Sequence, residues 1–407
     1  MLWKRAVNFY HRKFDGYDFE EYLIMAAVCS IFLPFFCSLA VIAVVLLYLL
    51  FKGRLPEIIK EYPKSYYVFG FCVLTGAVSL FHHNWLGAVC AVGIALVFLF
   101  ILFYRTKVTS RLFELIVDAS CIISLFCFVW ALMEYYSIVK ILNFDFFTFE
   151  VVDSPKYRVN STFFNANYYG MMVEFLILMC VYKMMNVKST RRVVFYLITI
   201  TCNLLGLYLS GCRTAWLAFL VTIPMMFLLN NHKKFFIGTM SIFALGAIVL
   251  LIDPQMFPRT DSLLEYLGVR TDIWMTAIHG IMDHPLLGQG PLTYYHTYKI
   301  YGGHPTQHAH SVYLDPFLCF GVIGVALLVP YFYENGKEIW RLYKYRINVR
   351  LFSLILGFLL TVMIHGIMDY TIFWVQTAQI FLLVLSASSI YTNKRSKRDE
   401  IECAKVM

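Results

Sequence analysis

Apolar runs of helix length recur along the whole 407-residue chain, and they limit its possible folds more than any other feature. Hydrophobic residues make up 60% of the sequence and charged residues only 14%, and the mean hydropathy is +0.68, which is outside the range of soluble domains. Inside a bilayer the backbone must bond to itself, so runs of this kind form α-helices. The sequence therefore predicts an all-α, polytopic membrane protein.

The apolar runs predict about twelve transmembrane helices. They lie at 22–34, 36–51, 65–81, 85–103, 112–136, 163–184, 193–209, 214–229, 235–252, 311–332, 351–366 and 371–391. The first two come from one run, 22–51, that is too long for a single ordinary helix, and Pro34 in its middle indicates a short hairpin.

The distribution of basic residues predicts the topology. With a hairpin at Pro34, one side of the membrane carries all but seven of the 34 lysines and arginines. The seven on the other side are Lys140, Lys156, Arg158, Arg213, Arg259, Arg270 and Lys299. Because short loops rich in Lys and Arg stay in the cytoplasm, we expect both termini to be cytoplasmic. The charge of +9 is then a topology signal, and no nucleic-acid partner is expected.

Two polar segments interrupt the apolar pattern on the outer side, and we expect them to decorate a single integral membrane domain, 1–407. The longer one, 253–310, is the only long polar insert, and a loop of that size usually carries function. The shorter one, 137–160, is rich in aromatic and acidic residues, which suits a partly buried lid.

The long loop has the pattern of short amphipathic helices. Ser262 followed by Glu265 has the spacing of a capping box. Further on, Arg270, Trp274 and Ala277 share one helix face, so Arg270 points towards protein or membrane. Snorkelling of this arginine to lipid headgroups is the simpler alternative.

Arg213 lies in a very short outer turn, where an arginine opposes the positive-inside trend. A charge at that depth generally has an anionic partner, and an acidic side chain or a lipid phosphate would satisfy it. With Arg270, it also makes a plausible clamp for a diphosphate, since guanidinium groups bind phosphate oxygens in a bidentate fashion.

Three histidines, His304, His308 and His310, stand just before the predicted span that begins at 311. A histidine there is suited to take a proton from a sugar hydroxyl near neutral pH, with Asp315 or Asp369 as a possible orienting group. The alternatives are hydrogen bonding in a polar loop and a metal site. We expect no metal, because no cysteine or close acidic cluster completes the ligands.

Chemistry that uses nucleotides is not indicated. The sequence has no nucleotide-phosphate loop and no D-x-D carboxylate pair, which argues against ATP or nucleotide-sugar substrates. Its eleven cysteines lie almost all inside predicted helices without a C-x-x-C pair, so they are expected to pack as small apolar residues. No cofactor is predicted.

Five motifs occur in a characteristic order. They are STFFNANYYG at 161–170, SGCRTAW at 210–216, R-x-x-x-W-x-x-A from Arg270 to Ala277, HPLLGQGP at 284–291 and QHAHSVYLDPFLCFGVIG at 307–324. In this order and topology, over roughly residues 160–330, the chain resembles the bacterial O-antigen ligase and polymerase family of membrane glycosyltransferases.

The resemblance implies an enzyme on the outer face of the bacterial cytoplasmic (inner) membrane. Members are metal-independent, inverting transferases that move a glycan from an undecaprenyl diphosphate carrier to a hydroxyl of a glycan, lipid or protein acceptor. Carried over to this chain, the family's two arginines fall on Arg213 and Arg270 and its essential histidine on His310, with His308 and Asp315 as possible supporting residues. One departure is Ser311, where many members have Asn.

Three alternatives remain open at the level of sequence: the identity of the acceptor, a transport function, and a structural or scaffold membrane protein. Polymerase and ligase share the donor chemistry, and only the acceptor separates them. A chain with twelve spans also suits a lipid-linked glycan flippase or another transporter, although transporters usually carry their ionisable residues near the bilayer midplane. We expect the lipid tail to lie in a groove between spans, with Tyr168, Tyr169 and Trp216 as candidate lining residues.

Overall fold

A computed structural model describes residues 16–152, 154–254, 259 and 263–391. Every regular element in these ranges is an α-helix or a short 3₁₀ turn, so the predicted all-α class is confirmed. In chain order the α-helices are α1 (Phe19–Ser30), α2 (Phe35–Phe51), α3 (Leu55–Glu61), α4 (Ser65–Phe81), α5 (Trp85–Lys107), α6 (Ser110–Leu142), α7 (Ala166–Met184), α8 (Thr190–Ser210), α9 (Thr214–Leu229), α10 (Lys233–Ile252), α11 (Leu263–Asp283), α12 (Thr293–Thr297), α13 (Asp315–Lys344), α14 (Val349–His365) and α15 (Val375–Ser386).

The helices support a membrane protein. Among the described residues, five helices are long and apolar enough to cross a bilayer, namely α5, α6, α8, α10 and α13. A sixth is added if α2 and α3, which meet at 98°, form one bent span. Each of the twelve predicted intervals overlaps a helix, but several of these helices are short, so the count of twelve stays a prediction.

Pro34 separates the first two helices as predicted. Helix α1 ends at Ser30, and Pro34 is the residue just before α2. Proline has no N–H to donate, and its fixed φ suits the start of a helix better than the interior. The long apolar run is therefore broken at the residue that the sequence indicates.

Helix α7 is the centre of the bundle. All of its residues except Asn167 and Met184 are buried, on every side of the helix. It packs against α8, α14, α9 and α6. Because neighbouring helices enclose it on every side, α7 forms the core around which the bundle is arranged. Its first turn lies at the predicted outer end of the bundle, where the candidate site is found.

Helix α10 has the opposite character. It is apolar along its length but none of its residues is buried, and its main neighbour is α9. Such a surface is suited to lipid and would be unfavourable in water. This helix leads directly into the long outer loop.

The ionic groups separate into two ends of the bundle. At one end Arg105 pairs with Glu338 at 3.0 Å, and Lys107 pairs with Asp18 at 3.0 Å. All four belong to segments predicted to share the cytoplasmic side. Outer-side arginines, described below, gather at the other end. The two groups agree with the division of loops between two faces, while the assignment of one face to the cytoplasm stays a prediction.

The predicted outer segments contain more continuous helix than the apolar runs indicate. Helix α6 continues to Leu142 and so includes the first residues of the segment predicted at 137–160, whose bounds stay a prediction. In the long loop, one helix of 21 residues, α11, replaces the expected short helices, and only α12 is short. The helix is continuous because it contains no proline and Gly268 is tolerated in its interior. Ser262 of the predicted capping box lies outside the described residues.

Candidate functional site

The end of the long outer loop is fixed to a break in α13. At Gly321 the backbone leaves helical geometry, with φ 59° and ψ −176°. The freed backbone groups bond to the loop instead: Val322 N–H donates to Pro285 O at 2.9 Å, and Ile323 N–H donates to Leu286 O at 3.0 Å. The HPLLGQGP motif is thus anchored on a helix of the bundle, which gives the loop a fixed position over its outer end.

The histidine segment is held in shape by its own backbone. His310 has a left-handed backbone, with φ 47°, and its N–H donates to His308 Nδ1 at 3.2 Å. Ala309 N–H donates to Asp315 Oδ1 at 2.6 Å. Asp315, at the start of α13, therefore holds the backbone between the two histidines, and it does not contact either ring by a hydrogen bond among the described residues.

Asp369 is the carboxylate that contacts His310. Val312 N–H donates to Gly366 O at 2.8 Å and joins the histidine segment to the turn after α14. In that turn Asp369 is 3% exposed, and its Oδ1 lies 2.7 Å from His310 Nδ1. The Tyr370 N–H also donates to this oxygen, at 2.8 Å. Of the two aspartates considered from sequence, Asp369 is the one that orients the ring.

These contacts set the protonation of His310. A carboxylate accepts hydrogen bonds, so we assign the ring proton to Nδ1, which leaves Nε2 as an acceptor for the Thr306 hydroxyl at 2.9 Å. Burial lowers the pKa of His310, and Asp369 only partly opposes that effect. Burial alone would raise the pKa of Asp369, but His310, His308 and Arg270 outweigh it and hold that pKa well below its usual range. At neutral pH the pair is a neutral imidazole and a carboxylate.

His308 supports the arrangement and is a poor base. Burial lowers the pKa of His308 to about 4, with His310 adding to the effect. Its Nδ1 already accepts the His310 N–H, and its Nε2 lies 3.5 Å from the Tyr168 hydroxyl and 3.8 Å from Asp369 Oδ1. Both nitrogens are therefore engaged within the protein.

A second chain of contacts leads away from Asp369. Asn167, in the first turn of α7, donates its amide N–H to Asp369 Oδ2. The Asn167 Oδ1 accepts from Arg158 Nη2 at 2.6 Å, and Arg158 Nε donates to Ser210 O at 2.7 Å. Arg158 belongs to the smaller outer segment, so that segment is connected to the histidine through two side chains.

Arg213 lies at the start of α9, where the turn meets the long loop. Its Nη1 donates to Arg259 O, and its guanidinium lies 4.8 Å from the centre of the Tyr266 ring. The Arg259 guanidinium lies 4.5 Å from the same ring. Cation–π contacts of this kind hold guanidinium groups without neutralising their charge. Tyr266 on α11 thus gathers two positive charges.

Arg270 is one turn beyond Tyr266 on α11. Burial lowers the pKa of Arg270, and Asp369 and Tyr266 partly oppose that effect. Arg270 makes no hydrogen bond or ion pair with the described residues. On the same face Ala277 is fully buried against the loop, as the helix pattern predicts. A half-buried, charged guanidinium with unused donors is suited to an anionic ligand.

The three predicted catalytic residues therefore lie in one region. Asp369 contacts His310 and acts electrostatically on Arg270, while Tyr266 connects Arg213 to the helix that carries Arg270. All three come from outer segments. Their roles stay predictions.

A metal could be held by part of this cluster. The ligand atoms of His308, His310 and Asp369 lie within 4.8 Å of one another. No acidic residue near the H-x-H pair in sequence completes a set of ligands. Asp369, however, is remote in sequence and lies close to both histidines in space. These ligand atoms already have partners within the protein: the His310 ring donates to Asp369, and His308 Nδ1 accepts the His310 backbone N–H.

Several residues of the site were not predicted. Arg158, Asn167, Arg259 and Tyr266 form contacts that the sequence did not assign to the site. A signal existed for two of them, because Arg158 and Arg259 are among the seven basic residues on the outer side, where positive charge is unusual. Asn167 lies within the STFFNANYYG motif.

Comparison with known families agrees with the motifs. Residues 195–329 match the model of the family described as O-antigen ligase. The matched region includes Arg213, Arg270, His308 and His310, while Asp369 lies beyond it. The resemblance to an O-antigen ligase and polymerase family is thereby confirmed over this region, and the match supports a function of that general type. No curated protein matches the chain.

Proposed function

We propose that this chain, whose residues 195–329 are of the O-antigen ligase family, is a glycosyltransferase on the outer face of the bacterial cytoplasmic membrane. It transfers or polymerises a glycan from an undecaprenyl diphosphate carrier onto an acceptor hydroxyl. The observation that carries the proposal is the 2.7 Å contact of His310 with Asp369, in a buried cluster that also includes the charge of Arg270.

The arginines act on the donor. Arg213 and Arg270 bind the diphosphate and stabilise the negative charge that grows on it as the bond between the anomeric carbon and the diphosphate oxygen breaks. Arg270 has donors that no described residue uses. Because guanidinium groups stay charged even when partly buried, the two residues supply this stabilisation throughout the pH range of the reaction.

His310 acts on the acceptor. The acceptor hydroxyl takes the place of the Thr306 hydroxyl as the donor to His310 Nε2. As its oxygen attacks the anomeric carbon from the face opposite the diphosphate, its proton passes to Nε2 and the bonding electron pair leaves with the diphosphate. Asp369 stabilises the resulting imidazolium. The products are an inverted glycoside and undecaprenyl diphosphate, and the reaction requires no metal.

An apolar cavity beside the cluster suits the lipid tail. It has a volume of about 450 Å³ and lies between helices of the bundle. Tyr370, next to Asp369, and Trp374, which stacks on Tyr168 at 4.9 Å, belong to its wall. The cavity lining does not include the three residues predicted for it, Tyr168, Tyr169 and Trp216. Tyr169 is enclosed within the bundle and cannot contact a lipid tail there.

A transport function is the second candidate, because one ionisable pair lies inside the bundle. Glu174 of α7 and His365 of α14 are both fully buried, with Oε2 and Nδ1 2.6 Å apart. Ionisable residues buried within a helical membrane bundle often mark a proton or substrate path. A lipid-linked glycan flippase would use such a pair, whereas an interfacial enzyme needs it only for structure.

One experiment separates the two. Purified full-length protein in detergent, with no second compartment, is incubated with undecaprenyl diphosphate-linked oligosaccharide and an acceptor glycan, and mass spectrometry follows both lipid and product. We expect glycoside and free undecaprenyl diphosphate from the native protein and neither from His310→Ala. His304→Gln, a change of an exposed neighbouring histidine, serves as the control. Equal turnover by His310→Ala would refute the proposed role of His310, and no turnover by the native protein with any acceptor favours transport.

Polymerase and ligase are separated in cells. Loss of a polymerase leaves surface glycan of single-repeat length, whereas loss of a ligase leaves long chains on the carrier lipid. Because the acceptor alone differs, we expect the same three residues, Arg213, Arg270 and His310, to be required in either case.

A further inference from the structure

Arg158 is a buried cation whose hydrogen bonds go only to neutral groups. It is 7% exposed, and its partners are the Ser210 carbonyl oxygen and the Asn167 amide oxygen. No carboxylate of the described residues lies within ion-pair distance of it, and its Nη1 makes no hydrogen bond with them. Burial of an uncompensated charge is costly, so a buried arginine generally has an anionic partner.

Its surroundings add positive charge. Burial, with Arg259 adding to the effect, lowers the pKa of Arg158 to about 10, while Asp369 acts on it more weakly than Arg259 does. A Cβ on Gly211 would lie 3.1 Å from Arg259 Cδ and 3.5 Å from Arg158 Nε, so both side chains cross this glycine. Arg213 is two residues further along the same turn. Three guanidinium groups thus surround one turn at the outer end of α8.

We propose that Arg158 binds the donor diphosphate together with Arg213 and Arg270, and that Asn167 transmits its position to the Asp369 and His310 pair. This inference rests on the proposed function. A diphosphate carries more negative charge than a monophosphate or a single carboxylate, and its oxygens can accept hydrogen bonds from several arginines at once. The smaller outer segment, which carries Arg158, then forms one wall of the anion site.

The Asn167 side chain connects Arg158 to Asp369. One end of the Asn167 amide accepts from Arg158, and the other donates to Asp369. The Asn167 donor favours the charged form of Asp369, and that charge keeps the proton of His310 on Nδ1. Asn167 is therefore a positioning residue, which touches neither substrate, and Arg158 is a binding residue.

Binding of short prenyl phosphates tests the anion site. The affinities of full-length protein in detergent for farnesyl diphosphate and farnesyl monophosphate are measured by calorimetry, for the native chain, Arg158→Gln and Lys156→Ala. Lys156 is exposed and lies in the same segment, so it controls for a general loss of positive charge. We expect Arg158→Gln to bind the diphosphate about 10- to 100-fold more weakly, with a smaller effect on the monophosphate, and Lys156→Ala to bind like the native chain.

Each outcome separates this inference from the proposed function. If Arg158→Gln binds farnesyl diphosphate as tightly as the native chain while Arg213→Gln and Arg270→Gln bind it weakly, the role of Arg158 is overturned and the proposed function stands. If all three variants bind like the native chain, the diphosphate clamp itself is wrong. Where Arg158→Gln does not fold, Arg158→Lys keeps the charge but loses the planar fork, and an unchanged diphosphate affinity in that variant also overturns the inference.

Asn167→Ala tests the link to the base. We expect its affinity for farnesyl diphosphate to stay within about threefold of native, while kcat falls about tenfold. Because the Asp369 carboxylate loses a donor, it stabilises protonated His310 more strongly, so the pKa of His310 rises and the acidic limb of the pH–rate profile moves to higher pH. A lower kcat with an unchanged pH profile would indicate a purely structural role and would overturn the proposed link.

Discussion

Asp369 Oδ1 lies 2.7 Å from His310 Nδ1, although 59 residues separate the two in the chain. The carboxylate comes from the turn after α14 and the imidazole from the end of the long outer loop. A backbone hydrogen bond between Val312 and Gly366 brings the two segments together. One ring nitrogen is thereby fixed, and the other faces Thr306, whose hydroxyl an acceptor can replace.

Changing Asp369 to asparagine should impair catalysis with little effect on donor binding. The Asn amide can donate to Nδ1, which would move the ring proton to Nε2 and remove the acceptor that the mechanism requires. We expect kcat to fall on the order of 10²-fold or more while KM for the donor changes little. Asp283→Asn, at an exposed carboxylate that bonds to Tyr301, is the matched control and should leave kcat unchanged. A native kcat in Asp369→Asn would exclude this role.

The value of kcat/KM should fall on the acidic side of neutrality and stay level on the basic side. The base must be neutral, and burial lowers the pKa of His310 below its ordinary value of 6.5. The neutral form therefore persists to lower pH, so kcat/KM should be flat from pH 7 to 8 and fall only below about pH 6.5. Measurement of kcat/KM from pH 5 to 8.5 checks this. An acidic limb centred above pH 7 would contradict the assignment of His310 as the base.

Substitution of Arg270 should weaken the transition state and the bound donor together. Arg270→Lys keeps a charge but loses the bidentate geometry, and we expect kcat/KM for the donor to fall by roughly 10- to 100-fold. Arg213→Lys should behave in the same way. Lys299→Ala, in the same outer loop and exposed to solvent, should retain the native kcat/KM. If Arg270→Lys, Arg213→Lys and Lys299→Ala all had the same kcat/KM for the donor, general surface charge, and not a clamp, would attract the donor.

Removal of divalent metals should leave the reaction intact. His310 Nδ1 and Asp369 Oδ1, two of the atoms that a metal would need, already contact each other at 2.7 Å, and His308 Nδ1 accepts the His310 backbone N–H. Activity assays after dialysis against EDTA, with and without added Zn²⁺, Mg²⁺ or Mn²⁺, measure the requirement. We expect no loss with the chelator and inhibition by Zn²⁺, which would compete for the imidazoles. Loss of activity that a metal restores would instead assign these residues as ligands.

The buried pair inside the bundle should matter for stability. Glu174→Ala leaves His365 without its carboxylate partner in a fully buried position, and breaking such a pair costs roughly 3–5 kcal/mol. We expect a clearly lower thermal midpoint by tryptophan fluorescence in detergent. Glu334→Ala, which removes one partner of the exposed pair with Lys337, should leave the midpoint unchanged. An unchanged midpoint in Glu174→Ala together with lost function would favour the transport alternative.

The sequence predicts the helical framework well because hydrophobic burial and proline geometry act locally. Pro34 separates α1 from α2, and the apolar runs coincide with helices. Helix ends are less predictable, since packing can extend a helix beyond its apolar run, as α6 does when it reaches Leu142. The number of spans depends on the bilayer as well as the chain, and helix length alone does not determine it.

The site is predictable only in part, for a different reason. Arg213 and Arg270 are marked by positive charge on the predicted outer side of the membrane, where such charge is unusual. Arg158 and Arg259 share that signal, but no local pattern reveals their partners. Asp369 stands in a turn with no distinctive spacing, and its choice over Asp315 depends on a contact between distant segments. Basic residues on the side that the positive-inside rule leaves poor in Lys and Arg are therefore the sequence signal for site residues.

Gly288 and Gly321 meet where the outer loop rests on the break in α13. A methyl group on Gly288 would collide with the backbone at Cys319, and one on Gly321 would collide with the backbone at Leu286. Neither collision can be relieved by a rotamer change, because both involve main-chain atoms. The two glycines therefore form one close backbone contact from two distant positions in the sequence. A larger residue at either position would separate the outer loop from α13.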